Sequence, residues 1–225
     1  MAAQVPDLPR VEQGIIDQTN AIRTQAKLGP VSVSPQLTEA ARAYAKLLAT
    51  TGQFTHTAGG QPTQRLVTVG YAACGFAENI AMRRDQNGFA TQVLAKSVVD
   101  GWQASPIHAR NLHNATMTEV GVGVAVSPAK AGEYITVQLF GRPRSQGLVF
   151  DIKNAMPTAV AVTFEGRSHT LAPNAVYTLR ACSAGNLTVT TQSAAAPLMI
   201  HVPAAGGKRY TITAPSKIDV TARKP

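Results

Sequence analysis

Residues 97–125 read SVVDGWQASPIHARNLHNATMTEVGVGVA, and the fold turns on them. Just upstream and within this stretch, Phe89, Val93, Leu94, Val98 and Trp102 recur at helical spacing and share one face, which predicts a helix over 89–102. That helix runs into Ser105-Pro106-Ile107-His108, read as a loop, followed by a short Asn-rich stretch. Val120-Gly121-Val122-Gly123-Val124 then alternates with the period of a half-buried strand. A histidine therefore leaves a helix just before a strand that must be buried. Gly121 and Gly123 make one face of that strand nearly flat, so a neighbouring backbone can approach closely.

Working outward, residues 134–140 are rich in β-branched and aromatic side chains and pair with 119–126 as an antiparallel hairpin. Towards the N-terminus the pattern is helical over 11–27, where Ile15, Ile16, Thr19, Ile22 and Ala26 share a face and Gly29-Pro30 stops the run. Ser34-Pro35 starts a second helix, which buries Leu37, Ala40, Ala41, Tyr44, Leu47 and Leu48 and ends at Gly52. Phe54-Thr55-His56-Thr57 reads as a loop, 61–69 as a short helix, and the segment around Ile80 as an extended piece beside the core. Residues 1–10 are Pro-rich and read as an extended arm.

Composition shifts at 141–147, a polar Gly/Pro-bearing stretch that marks a domain boundary, with one domain over 11–143 and a second over 144–225. After it helical periodicity vanishes. Seven short Val/Thr/Leu runs separated by turns predict a small all-β, sandwich-like domain. The expected class is therefore α+β.

The net charge is +9, with no Lys/Arg run longer than two. Such a surface favours anionic partners, cell-wall polymers or lipid headgroups among them, while the few aromatics and the absence of a nucleic-acid motif argue against nucleic acid. No apolar run is long enough for a transmembrane helix. MAAQVPDLPR lacks the basic start and apolar stretch of a signal peptide, so the start reads as a mature or trimmed chain with an added Met. Cys74 and Cys182 are the only cysteines. In an oxidising compartment they form one long-range bridge; in the cytosol they stay buried thiols.

Trp102, Ser105-Pro106-Ile107-His108, Asn111-Leu112 and Thr118-Glu119-Val120-Gly121-Val122-Gly123 together resemble the signature of bacterial SCP-like domains of the CAP superfamily, relatives of the cysteine-rich secretory, antigen 5 and pathogenesis-related-1 proteins. Asn20 and Arg23, Phe54-Thr55-His56, Arg65 with Gly70-Tyr71, and Phe76-Ala77-Glu78-Asn79-Ile80-Ala81 extend the resemblance, with Ala77 in place of the usual Gly. It implies an α-β-α sandwich whose cleft gathers His56, Glu78 and His108, with Glu119 as a fourth candidate and Asn79, Ser105 and Trp102 in support. Eukaryotic members carry a further acid near the Trp, whereas Gln103, Ala104 and Ser105 stand here. Two imidazoles and a carboxylate suit a borderline divalent cation such as zinc. No organic cofactor is expected.

The resemblance implies a secreted or periplasmic protein whose cleft binds a divalent ion, a small ligand, a lipid or a peptide without catalysis. One alternative is a metal-dependent hydrolase or peptidase with Glu78 as general base. Another is a wall or surface protein acting through its β-domain. His113, His169 and His201 lack companion residues and read as structural.

Overall fold

The two glycines of the alternating strand seat a helix directly on a sheet. A computed structural model describes residues 4–191, 196–202 and 206–223, and the chain divides into two units, Met1–Pro143 and Arg144–Pro225. The first contains α1 (Leu8–Gln25), β1 (Ser32–Val33), α2 (Pro35–Thr51), α3 (Pro62–Thr68), β2 (Ala73–Arg84), α4 (Thr91–Ala104), α5 (Pro106–Leu112), β3 (Glu119–Val126) and β4 (Glu133–Pro143). Its sheet runs β1-β3-β4-β2, with β1 parallel to β3 and the other pairs antiparallel. A Cβ on Gly121 would lie 2.1 Å from the Leu37 carbonyl carbon, and one on Gly123 would lie 2.2 Å from the Arg42 nitrogen. Only glycine lets the α2 backbone come so near.

Each face of the sheet carries its own apolar cluster. On one, α1 and α4 bury Ile15, Leu94, Val98 and Trp102 against Val120, Val122 and Phe140. On the other, α2 and α3 bury Leu37, Tyr44, Leu48 and Leu66 against Ile80, Val137 and Leu139. The first unit is thus an α-β-α sandwich, and with the β-rich second unit the chain is α+β.

Three boundaries differ from the sequence reading. Helix α1 starts at Leu8, because Asp7 accepts a bond from the Arg10 amide and Pro9 fits the first turn; the helix takes over the end of the expected arm, whose residues 1–3 lie outside the described ones. The piece around Ile80 is a strand of 12 residues. The expected loop at Ser105–His108 is instead the start of α5, with Pro106 in the first turn, where no N–H is needed.

Arg23 anchors the turn after α5. Its side chain is fully buried, and it donates to the carbonyls of Gly29, Leu112, Asn114 and Met117 at 2.8–3.0 Å. Burial lowers its pKa. One guanidinium thereby ties the end of α1 to the connection between α5 and β3, which follows the helix that carries His108.

The second unit has β5 (Leu148–Asn154), β6 (Val160–Phe164), β7 (Arg167–Leu171), β8 (Val176–Ala181), β9 (Gly185–Thr190), β10 (Leu198–Val202), β11 (Lys208–Ala214) and β12 (Lys217–Ala222). They form two four-stranded sheets, β10-β9-β6-β7 and β12-β11-β5-β8. The core takes Phe150, Ile152 and Ile212 from one sheet and Val162, Phe164 and Leu187 from the other, with Phe150 and Phe164 edge to face at 5.1 Å. The strand the sequence reading missed is β7. Its residues Arg-Ser-His-Thr-Leu carry little apolar signal, and only the turn at Glu165-Gly166, with φ of 50° and 74°, separates it from β6.

Candidate functional site

The site lies along the outer edge of β2, the last strand of the sheet. The phase of this edge follows from its neighbours. The Ser127 amide donates to Glu133 O, and the Asp85 amide to Gly132 O. With the registers of the β2–β4 and β3–β4 pairs, these bonds place Ala77, Asn79, Ala81 and Arg83 in the ladder with β4 and turn the backbone groups of Glu78, Ile80 and Met82 outward.

All three outward carbonyls accept a side-chain donor. Asn111 Nδ2 reaches Glu78 O at 3.1 Å, Trp102 Nε1 reaches Ile80 O at 3.1 Å, and Arg83 Nη1 reaches Met82 O at 2.9 Å. Among the described residues no acceptor meets the outward N–H of Ile80 or Met82. This edge offers donors and withholds acceptors. A cleft of about 250 Å³ runs along it, lined by Phe54, Ile80, Met82, Trp102, Ser105 and His108 among others.

His56 approaches from the loop after α2. Its Nδ1 lies 2.7 Å from Glu78 Oε1. The other oxygen of Glu78 takes Arg65 Nη2 at 2.5 Å, and the same nitrogen donates to His56 O at 3.0 Å. The Arg65 guanidinium stacks on Tyr44 at 3.5 Å from the ring centroid, while the Tyr44 hydroxyl donates to Thr55 O. Glu78 is buried and has both oxygens engaged, so it orients His56.

His108 comes from the first turn of α5. Its Nδ1 is 2.9 Å from Ser105 Oγ, and that hydroxyl holds the imidazole in place of capping the helix, which has no side-chain cap. Burial lowers the His108 pKa first, and the charge of His56 lowers it further. The two imidazoles, distant in sequence, therefore sense one another. With both Nδ1 atoms engaged, each ring keeps Nε2 for a ligand.

Asn79 is fully buried. It donates to Gln138 Oε1 at 3.2 Å and accepts from Asn111 Nδ2 at 2.8 Å, and Gln138 passes the chain on to Thr19. Trp102 supports the site through its bond to Ile80. Glu119 stands apart: it sits on β3, separated from β2 by β4, and its Oε2 accepts from the Tyr71 hydroxyl at 2.8 Å. Burial, and then this carboxylate, raise the Tyr71 pKa. Neither Cys74 nor Cys182 is a free thiol.

The donor set is a poor fit to a resident zinc. A catalytic zinc takes three protein ligands and water. Glu78 is spent on His56 and a cationic guanidinium, Glu119 is held elsewhere, and among the described residues no group of three or more His, Cys, Asp or Glu side chains is arranged to hold a metal ion. Arg65 and Asn111 complete the site without having been chosen from sequence. Arg65 had a signal in its spacing to Gly70-Tyr71, and Asn111 in its place after His108 within the Trp102–Gly123 part of the resemblance.

A family model described as the cysteine-rich secretory protein family, CAP, matches residues 16–140. The uncharacterized protein YkwD of Bacillus subtilis is 28% identical over 133 residues, 58% of this chain and 47% of that protein, so the chain spans about half the length of this curated relative. Among solved structures, an extracellular protein with an SCP domain from Bacillus anthracis is 27% identical with a TM-score of 0.49, covering 60% of this chain and 41% of that one. An outer surface protein of Borrelia burgdorferi is 22% identical with a TM-score of 0.53, covering 64% and 99%; this likeness is one of fold.

Proposed function

The chain belongs to the cysteine-rich secretory protein family, and from that premise we propose that it is a binding module working outside the cytoplasm, with a cleft that takes a small acceptor-bearing ligand between His56 and His108. The observation that carries this reading is the pair of imidazoles beside a strand edge whose carbonyls are all capped while the N–H groups of Ile80 and Met82 meet no acceptor among the described residues. Such an edge suits a carboxylate or amide oxygen. An extended peptide adding as a strand needs donors and acceptors alternately, and it would have to displace three side-chain caps. The absence of a free thiol supports an oxidising compartment.

A hydrolytic reading gains little from the site. Glu78 is buried with one oxygen on His56 and the other on the Arg65 guanidinium, which makes it a weaker and less accessible base. Ser105 lies next to His108, but that contact uses Nδ1 and stays within one helical turn.

Titration with N-acetylglycine, followed by amide and imidazole NMR shifts, tests the proposal. The expected result is perturbation of the Ile80 and Met82 amides and the His108 ring, weakened at least several-fold in His56→Ala and His108→Ala. Tight one-to-one zinc binding by calorimetry, lost in either histidine variant, would contradict it in favour of a metal centre.

A further inference from the structure

We propose that the second unit carries a binding pocket of its own, for a carboxylate-bearing saccharide, between the edge strands β7 and β8. The pocket belongs to this unit alone and is independent of the cleft. A recess of about 130 Å³ opens there, lined by Phe164, Glu165, Arg167, His169, Tyr177, Leu179 and Arg180, so two guanidiniums and one carboxylate border it. β7 ends one sheet and β8 ends the other, so the recess is the open side of the sandwich.

Charge is the first reason. Residues 147–225 hold 8 basic and 3 acidic side chains. All three carboxylates are engaged. Asp151 binds Arg209 and Arg223, each at 2.9 Å, Asp219 meets Lys217 at 3.7 Å, and Glu165 accepts from the Ser183 hydroxyl at 3.1 Å. Arg167 and Arg180 are exposed and find no carboxylate among the described residues. Two guanidiniums without a carboxylate partner line one small recess, and an anion bound there would meet both. A planar carboxylate matches the guanidinium fork.

The rings are the second reason. His169 and Tyr177 face each other at 4.4 Å, tilted by 36°, with the Tyr177 hydroxyl 3.0 Å from His169 Nε2. The bond couples the two strands and holds both rings in fixed orientation, and Phe164 and Leu179 add an apolar wall. Ring faces held by their mutual bond, beside exposed cations, suit a sugar ring that carries an acid, since its C–H face packs on the rings while its carboxylate meets the arginines. His169, structural by the sequence reading, here takes part in a site, because β7 and β8 bring it companions distant from it in the sheet order.

The test is NMR titration of the full chain with glucuronate, glucose and inorganic phosphate in parallel, following the His169 ring and the β7 and β8 amides. Glucuronate is expected to shift these resonances with millimolar affinity, and Arg167→Gln or Arg180→Gln to weaken it about tenfold, the scale of one charged hydrogen bond. Both arginines are exposed, so the variants should melt with wild type, and this is checked in the same samples. Equal response to glucose would remove the role of charge, equal response to phosphate would remove the sugar, and silence towards all three would remove the pocket. Any of these results overturns the proposal.

Discussion

Replacing Gly121 with Ala tests the seat of α2 on the sheet. The new methyl carbon would stand 2.1 Å from the Leu37 carbonyl carbon and 2.2 Å from the Thr38 nitrogen, more than 1 Å inside the 3.4 Å at which ordinary contact begins. Both atoms are backbone, so no side chain can rotate away, and α2 must slide or β3 must bow. Overpacking typically costs about 1–3 kcal/mol, and a backbone clash belongs at the upper end. The strand gains back a few tenths of a kcal/mol, roughly, from losing glycine's freedom when unfolded. The net expectation is about 2–3 kcal/mol, or roughly 8–10 °C in Tm for a unit of this size. Trp102 is the only tryptophan and is 1% exposed, so its fluorescence in a urea titration reports on this unit alone. Gly29→Ala is the control, because a Cβ there meets nothing within 4 Å. If Gly121→Ala unfolds within experimental error of wild type while Gly29→Ala does the same, the close approach of helix to strand is wrong.

Arg23→Met should destabilise the first unit by about 3–5 kcal/mol, because several buried carbonyls lose their donor at once; the urea midpoint measures it, and an unchanged midpoint would show that the guanidinium does not hold the α5–β3 turn. Asp151→Asn should lower the melting temperature of the second unit. Burial pushes the Asp151 pKa up, but hydrogen bonds from Arg223, Arg209 and Thr178 outweigh it and hold the group below its ordinary range. Its stabilisation is therefore present above the unfolded value of about 3.9 and is lost as pH falls through the folded value, so the difference between variant and wild type should shrink in acid. Thiol titration of the denatured chain should find no reactive cysteine without reductant and two after reduction; free thiols in the unreduced sample would remove the support for an oxidising compartment.

Much of the first unit was legible because its signals are local and periodic. Helices α1, α2 and α4 announce themselves by apolar spacing, α2 also by its Ser34-Pro35 start, and the Gly-Val alternation of β3 foretells a close helix. What escaped depended on contacts distant in sequence. β2 carries Glu78 and Asn79 where a strand would show apolar residues, since both are buried by partners on α3, α5 and β4 rather than by hydrophobicity. β7 was hidden for a similar reason: an edge strand with one face open keeps polar residues. At the site, His56 and His108 could be chosen by resemblance, but the roles of Glu78 and Glu119 could not. Those roles depend on Arg65 and Tyr71, whose side chains reach the carboxylates only after α3 and the following turn have packed.

The central claim is that two imidazoles share one cleft, and the titration of His108 measures it most directly. His108 should titrate below the ordinary imidazole value of about 6.5. In His56→Gln its pKa should rise, while burial keeps it short of the ordinary value, because only the repulsion between the rings has been removed. A His108 titration curve by NMR that is identical with and without His56 would place the two rings in separate environments and contradict the account.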